Sequence, residues 1–167
     1  MTHASPAADG LIWFEENLDL SALQDRAATW ARQWSAWMPM SGSLYVGLKG
    51  DLGAGKTTFV QAFVRALPNG EAQHVASPTY GLVHVYGSVP PVHHLDLYRV
   101  GGITELEDLG VDELFESQGF ILVEWPERAE PFAPDHRFDL EIRAVSAECR
   151  SLHLKSVGRH PIAEHMT

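Results

Sequence analysis

The stretch of sequence that decides the fold is Gly50-Asp51-Leu52-Gly53-Ala54-Gly55-Lys56-Thr57. It matches the pattern G-x-x-x-x-G-K-[ST] without a gap, and its glycines let main-chain N–H groups approach phosphate oxygens closely. In this pattern the lysine reaches the β- and γ-phosphates, and the threonine hydroxyl binds Mg²⁺. The stretch therefore predicts a phosphate loop that holds a nucleoside triphosphate together with magnesium.

The segments around this loop are those that a phosphate loop requires. Residues 44–48 form a short apolar run that predicts a strand, and residues 56–67 carry apolar side chains at helical spacing. Further strands are predicted at 11–14, 82–86, 92–97, 120–123, 138–142 and 151–154, and helices after an N-cap at Ser21 and over 104–109 and 111–117. This order predicts an α/β P-loop NTPase fold: a mainly parallel central sheet flanked by helices, with added antiparallel strands from the last predicted hairpin.

The length and composition predict one domain. A chain of 167 residues is long enough to bury a core unaided, and the single cysteine, Cys149, excludes an intrachain disulfide. We expect residues 1–10 to be disordered, 11–157 to form a single P-loop domain, and 158–167 to form a flexible C-terminal tail. The first ten residues do not resemble a signal peptide, and no apolar run approaches the roughly 18 residues of a membrane span, so we expect a cytoplasmic protein without membrane contact.

The charge balance argues against direct binding of nucleic acid. The chain carries 22 acidic and 12 basic side chains, a formal net charge of -10, and its three lysines, Lys49, Lys56 and Lys155, form no cluster. A protein that grips a nucleic-acid backbone alone needs clustered Lys and Arg side chains to displace counterions. We therefore predict no DNA binding, and contact with RNA only through a partner that supplies the positive surface.

Two acids lie at the ends of predicted strands, Asp96 and Glu124. The carboxyl ends of parallel strands gather on the same edge of a sheet as the phosphate loop. Either acid could therefore hold the metal or orient an attacking water, and the alternative for each is a solvated acid at the start of a loop. His93 and His94 are adjacent, so on a strand they face opposite sides, and we interpret both as structural.

Ser77-Pro78-Thr79-Tyr80 lies between the loop and the first of these acids. In switch nucleotidases a threonine in such a place senses the γ-phosphate and magnesium. The segment is interpreted as a switch, and the alternative is a plain turn.

Five stretches in this order resemble the motifs of the TsaE (YjeE) family. They are residues 50–58, residues 77–80, His94-Leu95-Asp96-Leu97-Tyr98-Arg99, Glu105-Leu106-Glu107-Asp108-Leu109-Gly110 and Glu124-Trp125-Pro126-Glu127. The resemblance implies a P-loop ATPase of bacteria, weak alone, that is needed to make threonylcarbamoyl-adenosine at position 37 of tRNAs reading codons that begin with A. It also implies the partners TsaD and TsaB, with ATP hydrolysis resetting the complex between turnovers.

The resemblance also assigns roles to residues. Asp96 and Glu124 correspond to acids needed for hydrolysis or metal binding, and Thr57 with Glu124 is expected to bind Mg²⁺. The ATP-binding residues that it implies are Leu52, Gly53, Ala54, Gly55, Lys56, Thr57 and Thr58.

Three other classes of P-loop protein are alternatives to this interpretation. A regulatory GTPase is disfavoured because neither Asn17 nor Asn69 begins an N-K-x-D segment. A metabolite kinase closes an Arg-rich lid over the phosphates, whereas the stretch after Asp96 is acidic. A nucleotide-gated regulatory module without useful turnover stays open as an alternative.

Overall fold

The computed structural model describes residues 10–38, 42–71 and 81–166. The switch predicted at residues 77–80 lies outside the described residues and stays a prediction. The helices are α1 (Leu20–Trp37), α2 (Lys56–Arg65), α3 (Ile103–Asp108) and α4 (Val111–Phe115), with 3₁₀-helices at Pro126–Phe132 and Pro161–His165. The strands are β1 (Leu11–Leu18), β2 (Ser43–Lys49), β3 (Val83–Tyr86), β4 (Val92–Asp96), β5 (Gly119–Glu124), β6 (Arg137–Ala144) and β7 (Arg150–Val157).

The seven strands form one sheet in the order β1-β7-β6-β2-β5-β4-β3. The four central strands β6, β2, β5 and β4 are parallel to one another. β7, β1 and β3 extend the sheet by antiparallel pairing. The predicted mainly parallel sheet with added antiparallel strands is confirmed. The predicted hairpin β6–β7 is also present, and its first strand joins the parallel group as well.

Helices α1 and α2 cover one face of the sheet with an aromatic core. Trp30 and Trp34 of α1 are fully buried and stack on each other, with ring centroids 5.3 Å apart. Trp34 also contacts Phe63 of α2 and Phe138 of β6. Large aromatic side chains contribute most of the apolar area in such a layer. Trp30 and Trp34 therefore anchor α1 beside α2.

The opposite face is covered by α3, α4 and the 3₁₀-helix Pro126–Phe132. Their apolar side chains pack on those of Tyr45, Leu95, Ile121 and Val123 from the central strands. Every residue of β5 is buried, as expected for a central parallel strand covered on both faces. The sheet thus lies between two helical layers, and β2, β4 and β5 end at one edge of this three-layer arrangement.

Three expectations about boundaries differ from the structure. The N-cap of α1 is Asp19 and not Ser21, since its Oδ1 accepts a hydrogen bond from the N–H of Ala22 at 2.8 Å. Gly10 is not frayed, because its carbonyl accepts from the N–H of Ser156 at 2.8 Å. The predicted flexible tail contains a 3₁₀-helix, from which Ile162 and the following Met166 are buried in the α1–α2 core.

No helix in the described ranges has the length and apolarity to cross a membrane.

Candidate active site

The phosphate loop joins the carboxyl end of β2 to the first turn of α2. Gly53 and Gly55 have φ of 79° and 115°, a region that favours glycine. A Cβ on Gly55 would also come within 2.8 Å of the Leu23 side chain of α1, which would then have to shift. A Cβ on Gly53 would meet nothing, because this part of the loop faces open space. The loop therefore presents its main chain to a ligand on one side and packs on α1 on the other.

Lys56 is a buried cation at the start of α2. Its Nζ donates hydrogen bonds to the carbonyl oxygens of Gly50 at 2.6 Å and Asp51 at 3.0 Å. The same atom lies 4.2 Å from the ring centroid of Trp125, a cation–π contact. Burial lowers the pKa of Lys56, while the carboxylates of Glu124 and Asp96 act in the opposite direction. The two carbonyl oxygens and the Trp125 ring thus hold the ammonium group beside the N-terminus of α2.

Glu124, at the end of β5, is the centre of the polar contacts. Its Oε1 accepts a hydrogen bond from the Thr57 hydroxyl at 2.8 Å. The Nε2 of His94 lies 2.9 Å from the same oxygen. Both Glu124 and His94 are buried. A buried carboxylate needs such donors because desolvation without partners is costly.

Asp96 lies beside Glu124 at the same level of the sheet. The two residues are paired in the parallel register of β4 and β5. Asp96 is buried, and its Oδ1 accepts from the N–H of Tyr98 at 3.1 Å. The structure therefore brings together the two acids that the sequence analysis selected, at the edge of the sheet where the phosphate loop lies.

These groups surround one cavity of about 390 Å³. Its lining residues are Leu52, Gly53, Gly55, Lys56, Thr57, Thr58, Asp96, Tyr98, Arg99, Glu124 and Trp125. Of the residues selected from sequence, Ala54 alone does not line the cavity, because its side chain is buried in the α1–α2 core.

Sequence reasoning missed three lining residues and one contact. Tyr98 and Arg99 follow the end of β4, and Trp125 follows the end of β5. All three lie inside the quoted family motifs, and that membership was the signal available. Trp125 has φ of 60°, unusual for a large side chain, and its ring lies 5.0 Å from that of Tyr98. His94 was interpreted as structural, yet it contacts Glu124. The prediction that it faces away from His93 agrees with the contact of His93 to the carbonyl of Gln118 at 3.2 Å.

The donor set fits a nucleotide with Mg²⁺. In the part of the chain that the structure describes, no group of three His, Cys, Asp or Glu residues is placed to hold a metal. Mg²⁺ at phosphate sites uses one or two protein oxygens and completes its shell with phosphates and waters. The Thr57 hydroxyl and the Glu124 carboxylate are oxygen groups of the type that Mg²⁺ takes as ligands. Loop N–H groups, the N-terminus of α2 and the Lys56 ammonium would bind the phosphates.

The fold and this site define a P-loop nucleotide-binding protein. A sequence model of one family, described as "Threonylcarbamoyl adenosine biosynthesis protein TsaE", matches residues 19–152. The chain therefore belongs to the TsaE family, and the resemblance drawn from its motifs is confirmed.

Individual relatives agree with this assignment. The chain is 41% identical over 112 residues to a Bacillus subtilis protein named tRNA threonylcarbamoyladenosine biosynthesis protein TsaE, covering 66% of this chain and 68% of that one. A Synechocystis protein of the same name is 40% identical over 114 residues, covering 64% and 69%. The crystal structure of YdiB from Bacillus subtilis superposes with a TM-score of 0.70 at 28% identity, covering 92% of each chain.

Proposed function

We propose that this protein is the ATP-binding and ATP-hydrolysing subunit required for threonylcarbamoylation of adenosine 37 in tRNAs that read codons beginning with A, and that it acts with TsaD and TsaB in the cytoplasm. One observation carries the proposal. In a chain of the TsaE family, the phosphate-loop residues Lys56 and Thr57 meet the buried acid Glu124 in a single cavity. A phosphate-binding loop and a carboxylate at a strand end are the parts that P-loop nucleotidases use.

The phosphates of ATP bind to the loop N–H groups, to the first turn of α2 and to Lys56. The Thr57 hydroxyl has one proton and two lone pairs, and it donates its O–H hydrogen bond to Glu124. Its lone pairs remain available for Mg²⁺, and Glu124 supplies the neighbouring negative charge. The metal, when bound, neutralises charge on the phosphate oxygens.

The contacts favour different roles for the two acids. Glu124 is engaged with Thr57 and therefore belongs to the metal side of the site. Asp96 lines the same cavity one strand away and is assigned to orient the attacking water. Positioning by a carboxylate is the usual contribution of the protein to phosphoryl transfer, in which the chemistry itself requires few groups.

The surface supports a protein partner rather than direct contact with tRNA. Six acidic residues of the α3–α4 segment are exposed: Glu105, Glu107, Asp108, Asp112, Glu113 and Glu116. An exposed segment with this charge repels a phosphate backbone and suits a basic protein surface. The tRNA is reached through TsaD and TsaB.

The proposal is tested by ATP turnover of the purified protein assembled with TsaD and TsaB. Wild type should hydrolyse ATP and support tRNA modification, and Lys56→Ala should lower turnover about 10²-fold or more, since one positioned cationic donor contributes that much. Lys155→Ala, which removes an exposed lysine from β7, is the matched control and should behave as wild type. Nucleotide binding without turnover in the complex would instead support a nucleotide-gated regulatory module.

A further inference from the structure

His94 is a fully buried polar residue inside an apolar layer. It lies on β4, on the face that also carries Val92, and its partner across the ladder is Leu122 of β5. The ring of Tyr86 lies 6.2 Å away, inclined by 30°. Its Nε2 is 2.9 Å from Oε1 of Glu124, the one polar contact that the described part of the chain gives this ring. The imidazole therefore stands directly behind the carboxylate of the active site.

The geometry assigns the proton of this histidine. An ionised carboxylate is an acceptor without a proton to give, so the hydrogen bond to Glu124 requires a proton on Nε2. Nδ1 is buried and has no hydrogen-bond partner among the described residues, so an N–H at that atom would meet no acceptor. His94 thus holds the Nε2–H tautomer and acts as a donor with one fixed target.

Two donors hold the same oxygen of Glu124. The Thr57 hydroxyl and His94 Nε2 both bond to Oε1, and Oε2 takes neither bond. A glutamate side chain is flexible, and one hydrogen bond leaves it free to swing about the shared oxygen. The second donor, supplied from a rigid neighbouring strand, restricts that motion. It also keeps Oε1 where it accepts the hydrogen bond of the Thr57 hydroxyl, and the lone pairs of Thr57 then remain available for a cation.

We propose that His94 is a positioning residue that holds the Glu124 carboxylate against the Thr57 hydroxyl, so that the Mg²⁺–nucleotide complex binds tightly and is hydrolysed at the full rate. The inference deepens the proposed function and rests on it. The competing interpretation is a core histidine whose contact with Glu124 has no consequence beyond packing.

Two substitutions of His94 separate these interpretations. His94→Gln keeps an amide N–H near the position of Nε2, whereas His94→Leu keeps a similar volume, suits the apolar surroundings and removes the donor. The adjacent His93 offers a matched control, because His93→Gln alters a histidine of the same strand that faces the other side and bonds to the carbonyl of Gln118. Thermal unfolding of each variant establishes that it is folded before function is compared.

The first measurement is ADP affinity by calorimetry on the full chain, once with Mg²⁺ and once with EDTA. The dissociation constant in EDTA divided by that with Mg²⁺ reports the magnesium-dependent part of binding. This ratio can be measured without turnover. Residues that hydrogen-bond to metal ligands typically change metal affinity or activity by about 10–100-fold when they are replaced. His94→Leu should therefore reduce this ratio by about tenfold or more, with the affinity in EDTA little changed, while His94→Gln and His93→Gln keep most of it.

The second measurement is steady-state ATP hydrolysis in the assembled complex. His94→Leu should lower kcat by about 10–100-fold with a smaller change in KM, and His94→Gln should recover most of the loss. The inference is overturned if folded His94→Leu keeps both the magnesium-dependent ratio and kcat, or if His94→Gln is as impaired as His94→Leu. A wild-type complex that fails to hydrolyse ATP would remove the proposed function, whereas the magnesium-dependent ratio would still decide the role of His94.

Discussion

The acids at the ends of β4 and β5 and the acids of α3 and α4 lie in opposite surroundings. Asp96 and Glu124 are 5% and 3% exposed, sit side by side in the sheet register, and each accepts a defined hydrogen bond. The six acids of the α3–α4 segment are all exposed to solvent. Buried charges are tightly coupled to their neighbours, whereas water screens exposed ones. The same chemical group is therefore tightly coupled to its neighbours in one region and screened by solvent in the other.

The largest effect is expected from the buried pair. Asp96→Asn and Glu124→Gln keep shape and remove charge, and each should lower kcat of the assembled complex by about 10²–10⁴-fold, the range for a positioned acid or base. Glu113→Gln, the same change on the exposed face, should leave kcat unchanged. Equal kcat values for all three variants would break the contrast between the two regions.

A buried apolar residue that does not line the cavity should affect stability without affecting turnover. Ile162 of the C-terminal 3₁₀-helix is 1% exposed, so Ile162→Ala should destabilise the fold by about 2–5 kcal/mol. Turnover per folded molecule should stay at the wild-type value, since Ile162 does not line the cavity. Chemical denaturation measures the first quantity. A loss below about 0.5 kcal/mol would mean that the tail contributes no packing, as the sequence analysis expected.

Trp125 tests how precisely the site holds its cation. Trp125→Ala removes the ring over Lys56, and a cation–π contact of this kind contributes about 0.5–2 kcal/mol. ADP affinity measured by calorimetry should fall by several-fold, with Trp125→Phe intermediate because phenylalanine binds cations less strongly. Unchanged affinity in Trp125→Ala would show that Lys56 is positioned by the carbonyls of Gly50 and Asp51 alone.

The smallest effect on the stability of the protein is expected from the exposed acids of the α3–α4 segment. Neutralising Glu107, Asp108 and Glu113 together should change the free energy of unfolding by no more than about 0.5 kcal/mol per site, as for most surface substitutions. Affinity for TsaD and TsaB should fall, and its dependence on salt should weaken. Binding assays at two ionic strengths measure this. Partner affinity equal to that of wild type at both ionic strengths would show that the α3–α4 segment does not bind the partner.

Local chemistry explains what the sequence could predict. The spacing of Gly50, Gly53 and Gly55 before Lys56 determines the strand–loop–helix unit, because few other sequences adopt those backbone angles. Asp96 and Glu124 were found because polar residues that end apolar runs emerge at one edge of a parallel sheet. The family motifs added the order of these parts along the chain.

The features that sequence reasoning missed depend on register or on short segments. The contact between His94 and Glu124 joins residues thirty positions apart and exists only because β4 and β5 pair in one register. Asp19 and Ser21 are both good N-cap residues two positions apart, so residue type alone does not select between them. The 3₁₀-helix Pro161–His165 is too short for hydrophobic periodicity to identify.

Every role proposed for this protein depends on the binding of nucleotide phosphates and Mg²⁺ by the loop from Leu52 to Thr58. Calorimetric titration of the full chain and of Lys56→Ala with ADP and with ATP, in the presence of Mg²⁺, measures this binding. We expect one saturable site for each nucleotide, weakened at least about tenfold in Lys56→Ala, since hydrogen bonds to a charged group contribute about 1.5–3 kcal/mol. Failure of both nucleotides to bind at millimolar concentration, or equal binding by Lys56→Ala, would contradict the account.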